Sequence, residues 1–220
     1  MSRVLRFGRK AALNGQAKSL VVFLHGYGAD GADLLGLADV LAERLPDTAF
    51  VAPDAAERIP GAPFGQQWFA IPRFDGSTVT EADAGLNRST DDLNAFLDQR
   101  LAYEKLGPQN LALIGFSQGA MMALHVAPRR AEPVAAVIAI SGQLLHRERL
   151  AAESLSKPPV LVMHGDGDAV VPFNEMTAAC NALVGAGFDT YGHVMEGSGH
   201  GIAQDGLVNA LAFLKKTLPR

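Results

Sequence analysis

The sequence predicts an α/β fold, with a mostly parallel central sheet and helices on both faces. Three observations carry this. Short apolar runs alternate along the chain with segments of helical spacing, which is the order of strand–helix–strand units. Most of those runs lack in/out alternation and so read as strands buried on both faces. The chain has 220 residues, 48% of them hydrophobic, enough for one domain with a full core over residues 1–220.

Residues 20–24 form an uninterrupted apolar run ending in His25-Gly26. Leu34, Leu37, Leu41 and Leu45 follow at helical spacing, and Pro46 is expected to end that helix. Residues 49–52 read as a strand stopped by Pro53. Leu93, Phe96, Leu97 and Leu101 mark a second helix, closed by Gly107-Pro108. Residues 111–114 form the next strand and 121–126 a helix. Residues 134–140 and 160–163 are two more strands, and the alternation of Tyr191, His193 and Met195 marks another. Leu207, Leu211, Leu214 and Leu218 form the stripe of a C-terminal helix. No repeat or interdomain linker interrupts this order.

Residues 54–80 are the exception. Pro60, Gly61, Pro63, Gly65, Pro72 and Gly76 punctuate them with little periodicity, and long irregular segments in compact domains are often functional. This one carries Trp68, Phe69, Ile71 and Phe74. Two roles are weighed evenly for these side chains: the wall of an acyl pocket, or a plug between loop and sheet. An exposed apolar patch near Trp68 would serve as a substrate rim or as the face of a homodimer.

Charge and composition exclude several classes. The net charge is −4 with a pI near 5.8, and no basic run of five residues exists, which argues against nucleic acid as a partner. No stretch of about 18 consecutive apolar residues is present, so no membrane span is expected. The first six residues are too polar for a secretory signal. A single cysteine, Cys180, forbids an internal disulfide and fits a reducing, cytoplasmic setting. It sits among alanines in a helix-like stretch and reads as an inert thiol.

The chemistry concentrates at three points. Gly115-Phe116-Ser117-Gln118-Gly119 follows the strand at 111–114, the strand–turn–helix context of a G-x-S-x-G nucleophile elbow. A serine hydroxyl needs a base and an orienting acid to act as a nucleophile. Asp166 and Asp168 follow the strand at 160–163, and His200 follows the stretch ending at Met195, in the order Ser, Asp, His. Residues just past the carboxyl ends of parallel strands gather on one edge, so the three can meet there. His200 is the candidate base, since an imidazole exchanges protons near neutrality. The residues alone do not choose between Asp166 and Asp168. Gln118, after the serine, would supply one backbone donor of an oxyanion hole. His25 and His164, each ending a strand before a glycine, read as structural. His193 reads as packing or facing solvent, and His125 and His146 have no catalytic context. No metal-ligand spacing such as H-E-x-x-H and no phosphate loop occurs, so neither metal nor cofactor is expected.

Taken together, the chain resembles the phospholipase/carboxylesterase branch of the α/β-hydrolases. The matching stretches are residues 23–30, Gln67-Trp68-Phe69, residues 115–120, residues 164–168 with Val171-Pro172, and Gly199-His200. The resemblance implies an α/β-hydrolase fold and hydrolysis of a small-molecule ester or thioester. It places the triad acid just before x-Val-Val-Pro, at Asp168, leaving Asp166 to shape the turn. It makes the N–H of Tyr27 the second oxyanion donor. Tyr27 stands where the thioesterases commonly carry leucine, which points toward a bacterial-type carboxylesterase.

The expected activity is therefore hydrolysis of short- to medium-chain carboxylic esters by Ser117, His200 and Asp168. Trp68, Phe69, Phe74 and Val170 are the expected substrate-binding residues. Lysophospholipase or acyl-protein thioesterase activity is the alternative. A non-catalytic binding protein on the same fold and a peptidase are the competing classes. Residues 141–159 are too few for a cap domain, so an open site is expected.

Overall fold

The computed structural model describes residues 2–219. In chain order its elements are β1 (Phe7–Lys10), β2 (Ser19–Leu24), α1 (Gly31–Leu35), α2 (Leu37–Ala42) and β3 (Thr48–Pro53). Then come β4 (Glu57–Arg58), β5 (Gln66–Gln67), α3 (Pro72–Asp75), α4 (Val79–Glu104), β6 (Leu111–Phe116), α5 (Gln118–Val126) and β7 (Ala136–Ile140). The chain finishes with α6 (Leu150–Glu153), β8 (Val160–Gly165), α7 (Asn174–Gly185), β9 (Thr190–Met195) and α8 (Gln204–Thr217).

Seven strands form the main sheet in the order β1-β3-β2-β6-β7-β8-β9. β1 runs antiparallel to β3, and the other neighbours are parallel. Alternation along the buried strands builds two cores. Leu20, Val22, Leu24, Val51 and Leu113 face one core with Leu93 and Leu97 of α4 and Leu183 of α7. Val21, Phe23, Phe50 and Ile138 face the other with Leu41 of α2 and Phe213 of α8. The strands are therefore apolar at successive positions because both faces are covered.

Register aligns the carboxyl ends. Leu24 lies opposite Gly115, Phe116 opposite Ile140 and Gly165 opposite Met195. The loops leaving β2, β6, β8 and β9 thus open on one edge, where an open parallel sheet binds ligands.

Three expectations change. The helix expected over the Leu34–Leu45 stripe is two short helices parted at Gly36, and the second ends at Ala42. Gly36 stays right-handed (φ −57°, ψ −27°), and Leu34, Leu41 and Leu45 are still buried; a glycine weakens the helix without reversing the chain. The strand expected from residue 134 begins at Ala136. The irregular stretch at 54–80 contains the small β4–β5 ladder and α3, and α4 already begins inside it at Val79. The start of α4 is fixed by a capping box: Glu81 N–H donates to Thr78 Oγ1 at 3.2 Å, and Thr78 N–H donates to Glu81 Oε2 at 2.8 Å. Residues 141–159 hold a single-turn 3₁₀ segment and the four-residue α6. No helix among the described residues is long and apolar enough to cross a membrane.

Candidate active site

Ser117 sits at the turn from β6 into α5 with φ 53° and ψ −117°, a conformation disfavoured for any residue with a Cβ. The surroundings hold it there. Its N–H donates to Ile140 O at 2.8 Å, and its carbonyl accepts from Ala120 and Met121 N–H. The flanking glycines allow the close approach this needs. A Cβ on Gly115 would lie 2.2 Å from Gly119 O, and one on Gly119 would lie 1.9 Å from Leu24 O.

The Ser117 hydroxyl lies 3.0 Å from His200 Nε2, and His200 Nδ1 lies 2.7 Å from Asp168 Oδ2. Asp168 is acceptor-only at its other oxygen too: Oδ1 takes the N–H groups of Val170 and Val171 at 2.8 and 2.9 Å. Burial alone would push this carboxyl up. The hydrogen bonds from His200, Val171 and Val170 outweigh it and hold the group below the usual aspartate range. An ionised Asp168 opposite Nδ1 fixes the His200 tautomer with its proton on Nδ1, leaving Nε2 free to accept from Ser117.

The acid and histidine loops are tied to each other. Gly167 N–H donates to Ser198 O at 2.9 Å, and Gly197 N–H donates to Asp166 Oδ1 at 2.8 Å. Asp166 thus shapes the site, but across loops 31 residues apart rather than within its own turn. A Cβ at Gly165 would strike the backbone carbonyls of Ser198 and Gly199 at 2.4 Å. The Phe116 ring lies 5.0 Å from the His200 ring.

The two expected oxyanion donors flank this line. Gln118 is the first residue of α5 and Tyr27 follows β2, and among the described residues no acceptor is bonded to either N–H. The Gln118 side chain is fully buried and bonds the backbone of Trp68 and Phe69. His25 braces the same region: its Nδ1–H donates to Gly26 O at 2.7 Å and its Nε2 accepts Ala55 N–H at 3.0 Å. Burial holds His25 below the ordinary histidine value despite the bond to Gly26.

The expected substrate residues separate into two groups. Trp68 is 0% exposed and takes the plug role: its Nε1–H donates to His25 O at 3.0 Å, and its ring packs 5.3 Å from that of His25. It lines neither the cavity beside Phe69 nor the one around Ser117. The exposed large apolar side chains of the segment are Phe64, Phe74 and Val79. Phe69 does line a cavity of about 370 Å³, with Ile71, Leu86, Met121 and Leu145. A second cavity of about 380 Å³ holds Ser117, His200, Tyr27, Phe116 and Ile202. Phe74 and Val170 are half-exposed, line neither of these cavities, and are joined by Arg73. Arg73 Nη2 donates to Val170 O at 2.8 Å while its guanidinium lies 4.6 Å from the Phe74 ring. Phe74 in turn lies 5.5 Å from the Tyr27 ring. Sequence reasoning missed Arg73, Met121 and Leu145, whose patterns say only loop and helix. His146, read as having no catalytic context, lines the apolar cavity with Nε2 3.2 Å from Asp83. His193 faces outward, paired with Asp205 at 2.7 Å. Cys180 is half-buried, and burial pushes its thiol up.

Residues 11–218 match the phospholipase/carboxylesterase family of α/β-hydrolases. The chain belongs to this family. It is accordingly an enzyme of the serine-hydrolase class. The family chain is 30% identical to the esterase YpfH of Escherichia coli over 209 residues, covering 93% of this chain and 85% of that protein. It is 25% identical to acyl-protein thioesterase 1 of Gibberella zeae, covering 93% and 92% of the two chains. Among solved structures, esterase PE8 superposes with a TM-score of 0.93 at 46% identity, covering 98% of this chain and 100% of that one.

Proposed function

We propose that this family member is a serine carboxylesterase that hydrolyses short- to medium-chain carboxylic esters through an acyl-enzyme. The observation that carries the reading is the hydrogen-bonded line Asp168–His200–Ser117, which ends in a cavity at the carboxyl edge of the sheet. His200 Nε2 takes the Ser117 proton as the hydroxyl oxygen attacks the ester carbonyl. Asp168 stabilises the imidazolium that forms and keeps its proton on the far nitrogen. The N–H groups of Gln118 and Tyr27 receive the oxyanion, donors of a kind that lowers such barriers by about 2.7–4 kcal/mol each. His200 then protonates the departing alcohol. Water, deprotonated by the same nitrogen, cleaves the acyl-enzyme and returns Ser117 to its free form.

Residues 141–159 form only a turn and one short helix, which supports a site open to solvent and to small esters. A longer single acyl chain, as in a lysophospholipid or an acyl-protein, is the second reading. The apolar cavity beside Phe69 and Met121 favours it, as do relatives named acyl-protein thioesterase. Initial rates on p-nitrophenyl esters of increasing acyl length, with Ser117→Ala in parallel, test both. Serine-dependent turnover that falls with chain length supports the first reading, and turnover that rises supports the second. Normal turnover by folded Ser117→Ala overturns the assignment. Failure of Ser117 to react with a fluorophosphonate would favour a non-catalytic binding protein.

A further inference from the structure

Asp168 has a second imidazole beside it. His164, at the end of β8, has its Nε2 3.2 Å from Asp168 Oδ2, the same oxygen that accepts from His200, and neither side chain has any exposed surface. Nε2 also lies 3.0 Å from Val171 O. Both neighbours are acceptors, so the His164 proton sits on Nε2, directed at the carbonyl with the carboxylate oxygen on its flank. His164 Nδ1 is buried without a partner, and the Phe173 ring packs edge-on 6.1 Å away.

We infer that His164 is a positioning residue for the catalytic acid, pinning Val171 and tempering the charge on Asp168 Oδ2. The inference rests on the reading of Ser117, His200 and Asp168 as the triad. The bond to Val171 O matters because the N–H of that residue holds Asp168 Oδ1. The terminal torsion of an aspartate is broad and does not fix its own carboxylate plane. His164 closes a ring of contacts, from Nε2 to Val171 to Oδ1 and back past Oδ2, that reinforces the hold of Val170, Val171 and His200 on it. The positive end of the Nε2–H dipole also draws electron density from the oxygen facing His200. Without it, that oxygen presents more negative charge to the imidazole and favours the imidazolium. A side chain that only filled space beside Phe173 would do neither.

The test compares His164→Gln with His164→Met. The two replacements are unbranched and similar in size, and differ in the N–H that reaches toward Val171 and Asp168. Rates on a p-nitrophenyl ester are normalised to active sites titrated with a fluorophosphonate. His164→Met is expected to lose about tenfold in kcat, the upper scale of one ordinary hydrogen bond, with KM within about twofold. It is also expected to move the acid limb of kcat/KM to higher pH. His164→Gln should recover most of the rate and return the limb. An unchanged rate and acid limb in His164→Met would overturn the inference, as would Gln and Met behaving alike. The wild-type protein gives a reading that does not depend on either variant folding. Long-range ¹H–¹⁵N correlation should find the His164 proton on Nε2, and a proton on Nδ1 would refute the arrangement. Asp168→Asn separates the two levels of argument: full activity there removes the triad reading, whereas loss there with normal His164→Met removes only the role of His164.

Discussion

The Gln118 side chain clamps the loop that carries Trp68. Its Oε1 accepts the Trp68 N–H at 2.8 Å and its Nε2 donates to the Phe69 carbonyl at 2.7 Å, both bonds buried. One residue thus carries the backbone N–H proposed for the oxyanion and uses its side chain to hold the neighbouring loop. Gln118→Ala keeps the backbone donor but orphans a buried N–H and a buried carbonyl. The expected cost is about 2 kcal/mol of stability, read by denaturant unfolding, with kcat reduced but not abolished. Wild-type stability in Gln118→Ala would show that the clamp carries no weight.

Arg73 ties the acid loop to α3 beside the apolar cavity. It joins Val170 of the acid loop to Phe74, and Phe74 rests against Tyr27. Arg73→Ala removes one exposed hydrogen bond and one cation–π contact. Stability should stay within about 0.5 kcal/mol, as for surface changes generally. KM for short esters should rise by about threefold, the equivalent of one weak bond, with kcat nearly constant. Arg73→Lys should not rescue, because an ammonium cannot both stack and present a planar fork. A kcat effect without a KM effect would place Arg73 elsewhere in the reaction.

Most of the sheet was legible because β2, β3, β6, β7 and β8 are written locally, as apolar runs between turn residues, and β9 as an alternation; β1, Phe-Gly-Arg-Lys, carries no such run and becomes a strand only by pairing with β3. Ser117 was legible because the elbow demands Gly115 and Gly119 at fixed spacing. What the pattern could not supply depends on residues far apart in sequence. Trp68 reads the same as wall or plug until its indole N–H finds His25 O, 43 positions away. Arg73 is one more loop cation until Val170, 97 positions on, is beside it. Asp166 reaches Gly197 rather than its own turn for the same reason. The start of α4 was different, because Thr78 and Glu81 spell a capping box that local reasoning can find.

Two glycines should respond in opposite directions. A Cβ at Gly119 would lie 1.9 Å from the Leu24 carbonyl, backbone that cannot step aside without lifting α5 from β2. Gly119→Ala should cost more than about 3 kcal/mol or prevent folding, as large steric insertions do. At Gly36 nothing lies within 4 Å of a new Cβ and φ is −57°. Gly36→Ala should stabilise by about 0.4–1 kcal/mol by restricting the unfolded chain. Thermal melts of the pair decide it, and destabilisation by Gly36→Ala would contradict the local geometry.

Stability should fall on acidification in two separate windows. His125 on α5 is 7% exposed, and burial first, then the charges of Arg129 and His146, lower its pKa to about 4. In the unfolded chain it titrates near 6.5, so above that pH both states are neutral and the contribution is fully present. As pH falls from there toward 4 the unfolded state binds the proton first, and stability declines by about 1.4 kcal/mol per unit, roughly 3 kcal/mol in all. Below about 4 both states are protonated and this loss stops. His25, also lowered by burial, adds slope of the same sign beginning at the same upper limit. Asp168 acts later: its depressed folded pKa gives stability that is present above 3.8 and is lost as pH falls through the lower folded value. His125→Gln should therefore flatten, but not abolish, the slope of unfolding free energy between pH 6.5 and 4, and leave the decline below 3.8 in place. Equal slopes for wild type and His125→Gln in the upper window would mean that His125 takes up its proton as easily in the fold as outside it.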